Sequence, residues 1–189
     1  MSTVPFRLLL VVLAAWTSLS VGLALAANSN FRTVDRILEP GYRAEHDLEV
    51  GDVGHDRLRM LYRYLAGELN RRLFREWAVA QTAMALLLAV TLFVGRPDCG
   101  RAVLTLALSG AGLGLVLALA LTPMMLRLGP PFDFLPRPVP AEFAVAHRRF
   151  LLLHGLYFGL DLLKVLLLLV AFCLALSRRR RLTGSPDAA

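Results

Sequence analysis

Lysine is almost missing from this chain: Lys164 is the only one among 189 residues, set against twenty arginines. Cysteine is scarce as well. Cys99 and Cys173 stand alone, with no CxxC and no Cys/His cluster, which excludes a disulfide-stapled miniprotein and a structural zinc site. Charge of either sign is thin, at 19% of residues compared with about 25% in ordinary soluble domains. Glycine and proline are neither dense overall nor periodic, so a collagen-like fibre is excluded, and the 57% apolar content excludes disorder. There is no GxSxG, P-loop, HExxH or GxGxxG. Neither enzymatic activity nor a cofactor or metal is therefore expected.

What the chain has instead is apolar length, with a mean hydropathy of +0.59. Four runs approach or exceed the twenty or so residues needed to cross a bilayer: 8–27, 77–95, 102–126 and 150–177. An isolated apolar segment can satisfy its backbone in lipid only as a helix. The expected fold is an all-α integral membrane four-helix bundle, a single domain over 1–189. The first run also fits a cleavable secretory signal, with Arg7 before it and Ala24-Leu25-Ala26 before Ala27. Its length and the ladder Ala14, Ser18, Gly22, Ala26 at four-residue spacing favour a retained span that packs through small residues.

Between the first two spans lies a polar connection. Its part from 39 to 56 is acidic and loop-like, and His46, Asp47, Glu49, Asp52, His55 and Asp56 match no metal-site spacing, so a solvated loop is the plainer reading. Leu58, Leu61, Leu65, Leu69 and Leu73 then recur at three- and four-residue intervals, flanked by arginines. That pattern predicts an amphipathic interfacial helix over 57–76, feeding the second span, with Glu68 and Arg72 placed to pair. A solvated helix packed on its own protein fits the same pattern. The connection from 127 to 149 carries five prolines and reads as a stiff extended linker, with Phe132, Phe134 and Leu135 at the membrane surface.

The net charge of +7 is misleading as a sign of nucleic acid. Nine arginines between 28 and 76 are balanced by nine acids, so the excess sits in short connections and in Arg178, Arg179, Arg180 and Arg181. Basic residues abutting an apolar span suit anionic headgroups of the lipid bilayer, and no nucleic-acid partner is expected. Four spans put both termini on one side. The tetra-arginine argues that this side is cytoplasmic, although the first and third connections together hold more arginines than the rest of the chain.

The last span carries the one unusual feature. Asp161 and Lys164 lie near its centre, where a charge costs about 2.5–3.5 kcal/mol on insertion scales and normally faces the bundle interior. Three residues apart on a helix, the two can meet. His154 and Tyr157 share their side, giving a candidate intramembrane stripe of His154, Tyr157, Asp161 and Lys164. The stripe suits either an internal network that fixes register or a relay for protons or a small solute. Gln81, Thr82, Thr91, Thr105 and Ser109 are its available intramembrane partners. Gly110 and Gly114 form a GxxxG in the third span, continued by Ala118 and Thr122, and Gly155 and Gly159 form another in the fourth. Both suit close helix packing, within the chain or in a homo-oligomer.

Phe150-Leu151-Leu152-Leu153-His154-Gly155-Leu156, followed by Asp161-Leu162, resembles the last span of the transmembrane protein 205-like family of small four-span proteins. Arg72-Leu73-Phe74 and Phe31-Arg32 also resemble that family, as does the order of long, tight and intermediate connections. The resemblance implies the four-span architecture and supplies no catalytic set. The insert over 39–56 and Lys164 depart from the family pattern. Together these features point to a multi-pass protein of a membrane, by its arginine- and leucine-rich composition a bacterial inner membrane. The expected function is a structural or partner-binding membrane component, with a small transporter or proton-linked permease subunit as the alternative.

Overall fold

The computed structural model describes residues 3–37, 55–94, 99–129 and 139–183. All the regular structure among them is helical: α1 (Thr3–Ile37), α2 (His55–Phe93), α3 (Arg101–Leu128) and α4 (Ala141–Thr183). Each is long and apolar enough to cross a membrane. Sequence neighbours run antiparallel, and α1 and α3 sit diagonally opposite, as do α2 and α4. The protein is an all-α four-helix bundle, as the sequence leads one to expect.

The helices outrun the predicted spans. At 1.5 Å per residue, the 39 residues of α2 reach about 58 Å and the 43 of α4 about 64 Å, roughly twice the hydrocarbon thickness. The expected amphipathic helix over 57–76 is present, but no break sets it off from the second span. Opposite it, α1 continues through Asn28-Ser29-Asn30 to Ile37 because α2 offers partners: the Asn30 side chain donates to Asn70 Oδ1 at 2.6 Å, and Asn70 Nδ2 donates to the Ala27 carbonyl at 3.3 Å. The inner face of this extension is Ala66 and Asn70, whereas Leu61, Leu65 and Leu69 stay about half exposed. The leucine stripe is thus an outer ridge and not a seam. Glu68 pairs with Arg71 at 2.8 Å and Arg72 with Glu76 at 2.9 Å, in place of the expected Glu68–Arg72 pair. The proline-rich 130–138 and the acidic 38–54 lie outside the described residues. Helix α4 begins at Ala141, so the linker expected to reach 149 is shorter than it reads.

Within the bundle, α3 and α4 make the most extensive contact. Ala107, Gly110, Ala111 and Gly114 line one face of α3 and are all buried, and the α4 side chains opposite include Leu168, Ala171 and Ala175. A Cβ on Gly110 would come within 2.8 Å of Leu168 Cδ2, so this GxxxG is packed against α4. The other one is not. Gly155 and Gly159 have nothing within 4 Å of a built Cβ and face out of the bundle. The α1 ladder is likewise turned away: Ser18, Gly22 and Ala26 are exposed, and α1 packs instead through Leu9, Val12, Leu13, Trp16 and Ser20. Bulky side chains on α1 have small residues on α3 to receive them, which removes the need for a small-residue seam on α1 itself.

Helix α3 widens into a π turn at Leu117–Leu121. Pro123 follows directly and has no N–H to give, while the Thr122 N–H and its hydroxyl, at 2.8 Å, both donate to the Leu117 carbonyl. The bulge turns Leu117 and Leu121 onto Tyr157 of α4. It lies one turn from Gly114, at the level where the polar residues gather.

Candidate functional site

Lys164 is fully buried, and its ammonium donates to Asp161 Oδ1 at 2.6 Å and to Gln81 Oε1 at 2.7 Å. Its nitrogen also stands 5.3 Å from the ring centre of Trp77, within cation–π range. Asp161 keeps 18% of its side chain exposed. Lys164 lies about 21 Å along the helix from Arg178 and about 22 Å from Arg149, so the pair sits deep in the apolar part of α4. A charge there is tolerable only when matched, and here one carboxylate, one amide oxygen and one aromatic face match it.

The lysine reaches this position because α3 makes room. A Cβ on Gly114 would lie 2.6 Å from Trp16 Cζ2 and 3.7 Å from Lys164 Cδ. Glycine therefore admits both the indole of α1 and the lysine stem of α4. Two diagonals of the bundle cross at this level: Lys164 to Gln81, and Trp16 to Gly114. Trp77 and Gln81 sit four apart on α2 and so present one face to the lysine.

Three of the four stripe residues belong to this cluster. Tyr157 is buried, stacks edge-on against Phe74 with ring centres 5.6 Å apart, and turns its hydroxyl toward Gln81 and Thr122 without closing a hydrogen bond to either. His154 is the exception. It lies on the outer surface, stacked on Phe150 with centres 6.0 Å apart. The reason is angular: at about 100° per residue, Tyr157 and Lys164 fall within about 20° of each other, while His154 is about 80° from Lys164, beyond Asp161. His154 and Asp161, seven residues apart, do share a side of α4, but it is the margin of the buried face.

Trp16 and Trp77 are site residues that the polar pattern does not reveal, and Gln81 carries more than its neutral chemistry suggests. The available signal was depth. Gln81 is the only amide in the apolar part of α2, and pairing α2 antiparallel to α4 brings it level with Lys164. Thr82 and Thr91 bond back to their own helix at 2.9 and 2.8 Å, and Thr105 and Ser109 face outward. At the opposite end of the bundle, the Arg178 guanidinium lies against Gly100, which opens α3 at φ +80°. The side chains of Arg179, Arg180 and Arg181 and of the 46–56 stretch lie outside the described residues. Among the described residues no group of three His, Cys, Asp or Glu side chains could hold a metal. No protein-family model, curated protein or solved structure matches this chain.

Proposed function

We propose that this chain is a non-enzymatic component of a membrane, in which a buried ionic lock fixes the bundle and the outer faces serve a protein partner or a second copy. The observation that carries this reading is the complete burial of Lys164 with both bonds made inside the bundle. Lys164, neutralised by Asp161 on its own helix, reaches across the diagonal to Gln81, so a slip of α2 against α4 would deprive the buried ammonium of that oxygen and of the Trp77 face. The outward leucines Leu61, Leu65 and Leu69, and the open Gly155 and Gly159, supply surface for a partner. The composition suggests a bacterial inner membrane. The arginines around Arg101 and Arg178, with the tetra-arginine run, suggest that both termini face the cytoplasm and touch anionic headgroups. Membership of the transmembrane protein 205-like family belongs to this same reading and rests on His154-Gly155 and the span layout.

Charge exchange tests the lock. Asp161→Lys and Lys164→Asp should each lower the yield of folded protein in detergent, and the double exchange should recover it. Single variants that fold like the wild type would overturn the reading. A second reading, a small proton-linked transporter, draws on the partial exposure of Asp161. It is favoured if Asp161→Asn with Lys164→Leu leaves folding intact while abolishing a solute flux in proteoliposomes. A reporter fused at Ala189 that is active only outside the cytoplasm would reverse the proposed orientation.

A further inference from the structure

The polar core is oversupplied with donors. Trp16 Nε1, Trp77 Nε1, Gln81 Nε2 and Tyr157 Oη are all buried and have no hydrogen-bond partner among the described residues. Their side chains are no more than 6% exposed. They come from three helices and converge on one lysine: Gln81 is bonded to it, Trp77 lies beneath it, Trp16 shares Gly114 with it, and Tyr157 is turned toward Gln81. Buried donors in a native core are almost always satisfied, and in hydrocarbon no solvent can do so from outside. Indole, amide nitrogen and ammonium can only donate. Water would satisfy them as well, spending its own protons on Asp161 Oδ2 or on the Thr122 oxygen, whose hydroxyl only donates to Leu117, so the experiment below separates water from an anion. A monatomic anion accepts from all sides and donates nothing.

Charge decides the stoichiometry. With Asp161 ionised, the pair is neutral and an added anion would leave a net negative charge in the bilayer. With a proton on Asp161, the ammonium is unmatched and the anion takes the carboxylate's place beside it. Total charge is then zero in both states. We propose that the cluster of Lys164, Gln81, Trp77, Trp16 and Tyr157 binds a halide, taken up together with one proton that forms an O–H on the Asp161 carboxyl group. Lys164 exchanges its bond to Asp161 for one to the anion, and no other bond is made or broken. Titratable groups near Asp161 are few. On α4 they are Tyr157, Lys164 and the outward His154; α2 contributes only neutral Gln81 and Trp77, with Glu76 exposed and paired to Arg72. Between Arg7 and Arg32 on α1, and between Arg101 and Arg127 on α3, there is none.

The chain's two tryptophans are Trp16 and Trp77, so intrinsic fluorescence reports on this cluster alone. The full chain in neutral detergent is titrated with iodide at pH 5 and pH 8, with chloride as competitor and circular dichroism as the check on folding. The expected result is saturable quenching at pH 5, relieved by chloride and weaker at pH 8, the direction set by one coupled proton. Asp161→Asn should quench saturably at both pH values, and His154→Gln should keep the wild-type pH dependence. Trp77→Phe, which keeps the aromatic face but loses the N–H, should weaken binding several-fold, and Lys164→Met should abolish saturation. Quenching that rises linearly with iodide, or saturation unchanged in Trp77→Phe and Lys164→Met, overturns the site. Equal saturation at both pH values in the wild type overturns the coupling to Asp161. No iodide effect at all means water alone fills the cluster, and the proposal fails while the ionic lock stands.

Discussion

Two identical GxxxG motifs should respond with opposite sign to the same substitution. A Cβ on Gly114 lands 2.6 Å from Trp16 Cζ2 and 3.1 Å from Cη2, while one on Gly155 meets nothing within 4 Å. Ordinary carbon–carbon contact is about 3.5–4.0 Å, so Gly114→Ala must displace the indole or spread α1 from α3 by about 1 Å. Trp16 is completely buried and cannot swing aside. Overpacking of this kind costs about 1–3 kcal/mol. Replacing glycine by alanine within a helix favours folding by about 1 kcal/mol at either site. That gain is common to both variants and cancels in their comparison, which leaves the clash itself: Gly114→Ala should be less stable than Gly155→Ala by about 1–3 kcal/mol. Gly155→Ala should equal or exceed the wild type. Reversible unfolding by SDS titration in mixed micelles, followed by far-UV circular dichroism, measures both. Equal stabilities for the two variants would refute the packing argument, and a destabilised Gly155→Ala would show that its face is covered by something outside the single chain.

Breaking the ionic pair from its two ends should be unequal. Asp161→Leu leaves an ammonium with 0% exposure and only Gln81 and Trp77 for company, at a cost of about 3–5 kcal/mol. Lys164→Met leaves a carboxylate that keeps 18% exposure and should cost less, and the double variant should fall within about 1 kcal/mol of the wild type. Additive single effects in the same SDS titration would count against the pair as a unit. Asn70→Leu removes the bonds to Asn30 and Ala27 and should cost about 1–3 kcal/mol, confined to the α1–α2 extension. Hydrogen exchange checks this: amides of 28–37 and 60–72 should exchange faster, with those around Gln81 unchanged. Thr122→Val loses a hydroxyl bond that duplicates a backbone bond to the same carbonyl, so the π turn should survive at a cost of less than about 1 kcal/mol.

The architecture was legible because apolar length is a one-dimensional signal. Four uncharged or nearly uncharged runs can only be helices in lipid, and the few residues between the second and third runs force those neighbours to be antiparallel. Helix ends were less legible, since Asn28-Ser29-Asn30 reads as a break until Asn70 is seen to satisfy it. The stripe on α4 was three-quarters legible. Its period marks one side of a helix, but a side is about 100° wide, and only the partner helices decide where the buried arc begins. His154 fell just beyond that arc. The same limit explains the glycines. Gly110 and Gly155 sit in equivalent motifs, and nothing in spacing distinguishes a face turned to Leu168 from one turned outward. Trp16 and Trp77 were invisible as site residues because an aromatic in an apolar span carries no mark of what its N–H faces.

The sole lysine of an arginine-rich chain occupies the one place where arginine would fail. A guanidinium brings five N–H donors in a planar fork, whereas this site offers two oxygens and an aromatic face to a side chain that must pass Gly114 and Trp16. An ammonium spends two protons on Asp161 and Gln81 and turns its remaining charge to Trp77, so nothing on the lysine itself is left over. The surplus is entirely on its neighbours: two indoles, one amide and one phenol. A core built only to neutralise Lys164 would have needed Asp161 and Gln81, and leucines elsewhere would have packed as well without stranding donors in hydrocarbon. Trp16, Trp77 and Tyr157, held at that depth by three helices, are costly as mere filling. Lys164 ties α4 to α2 through Gln81, and the donors around it are those proposed to hold a halide.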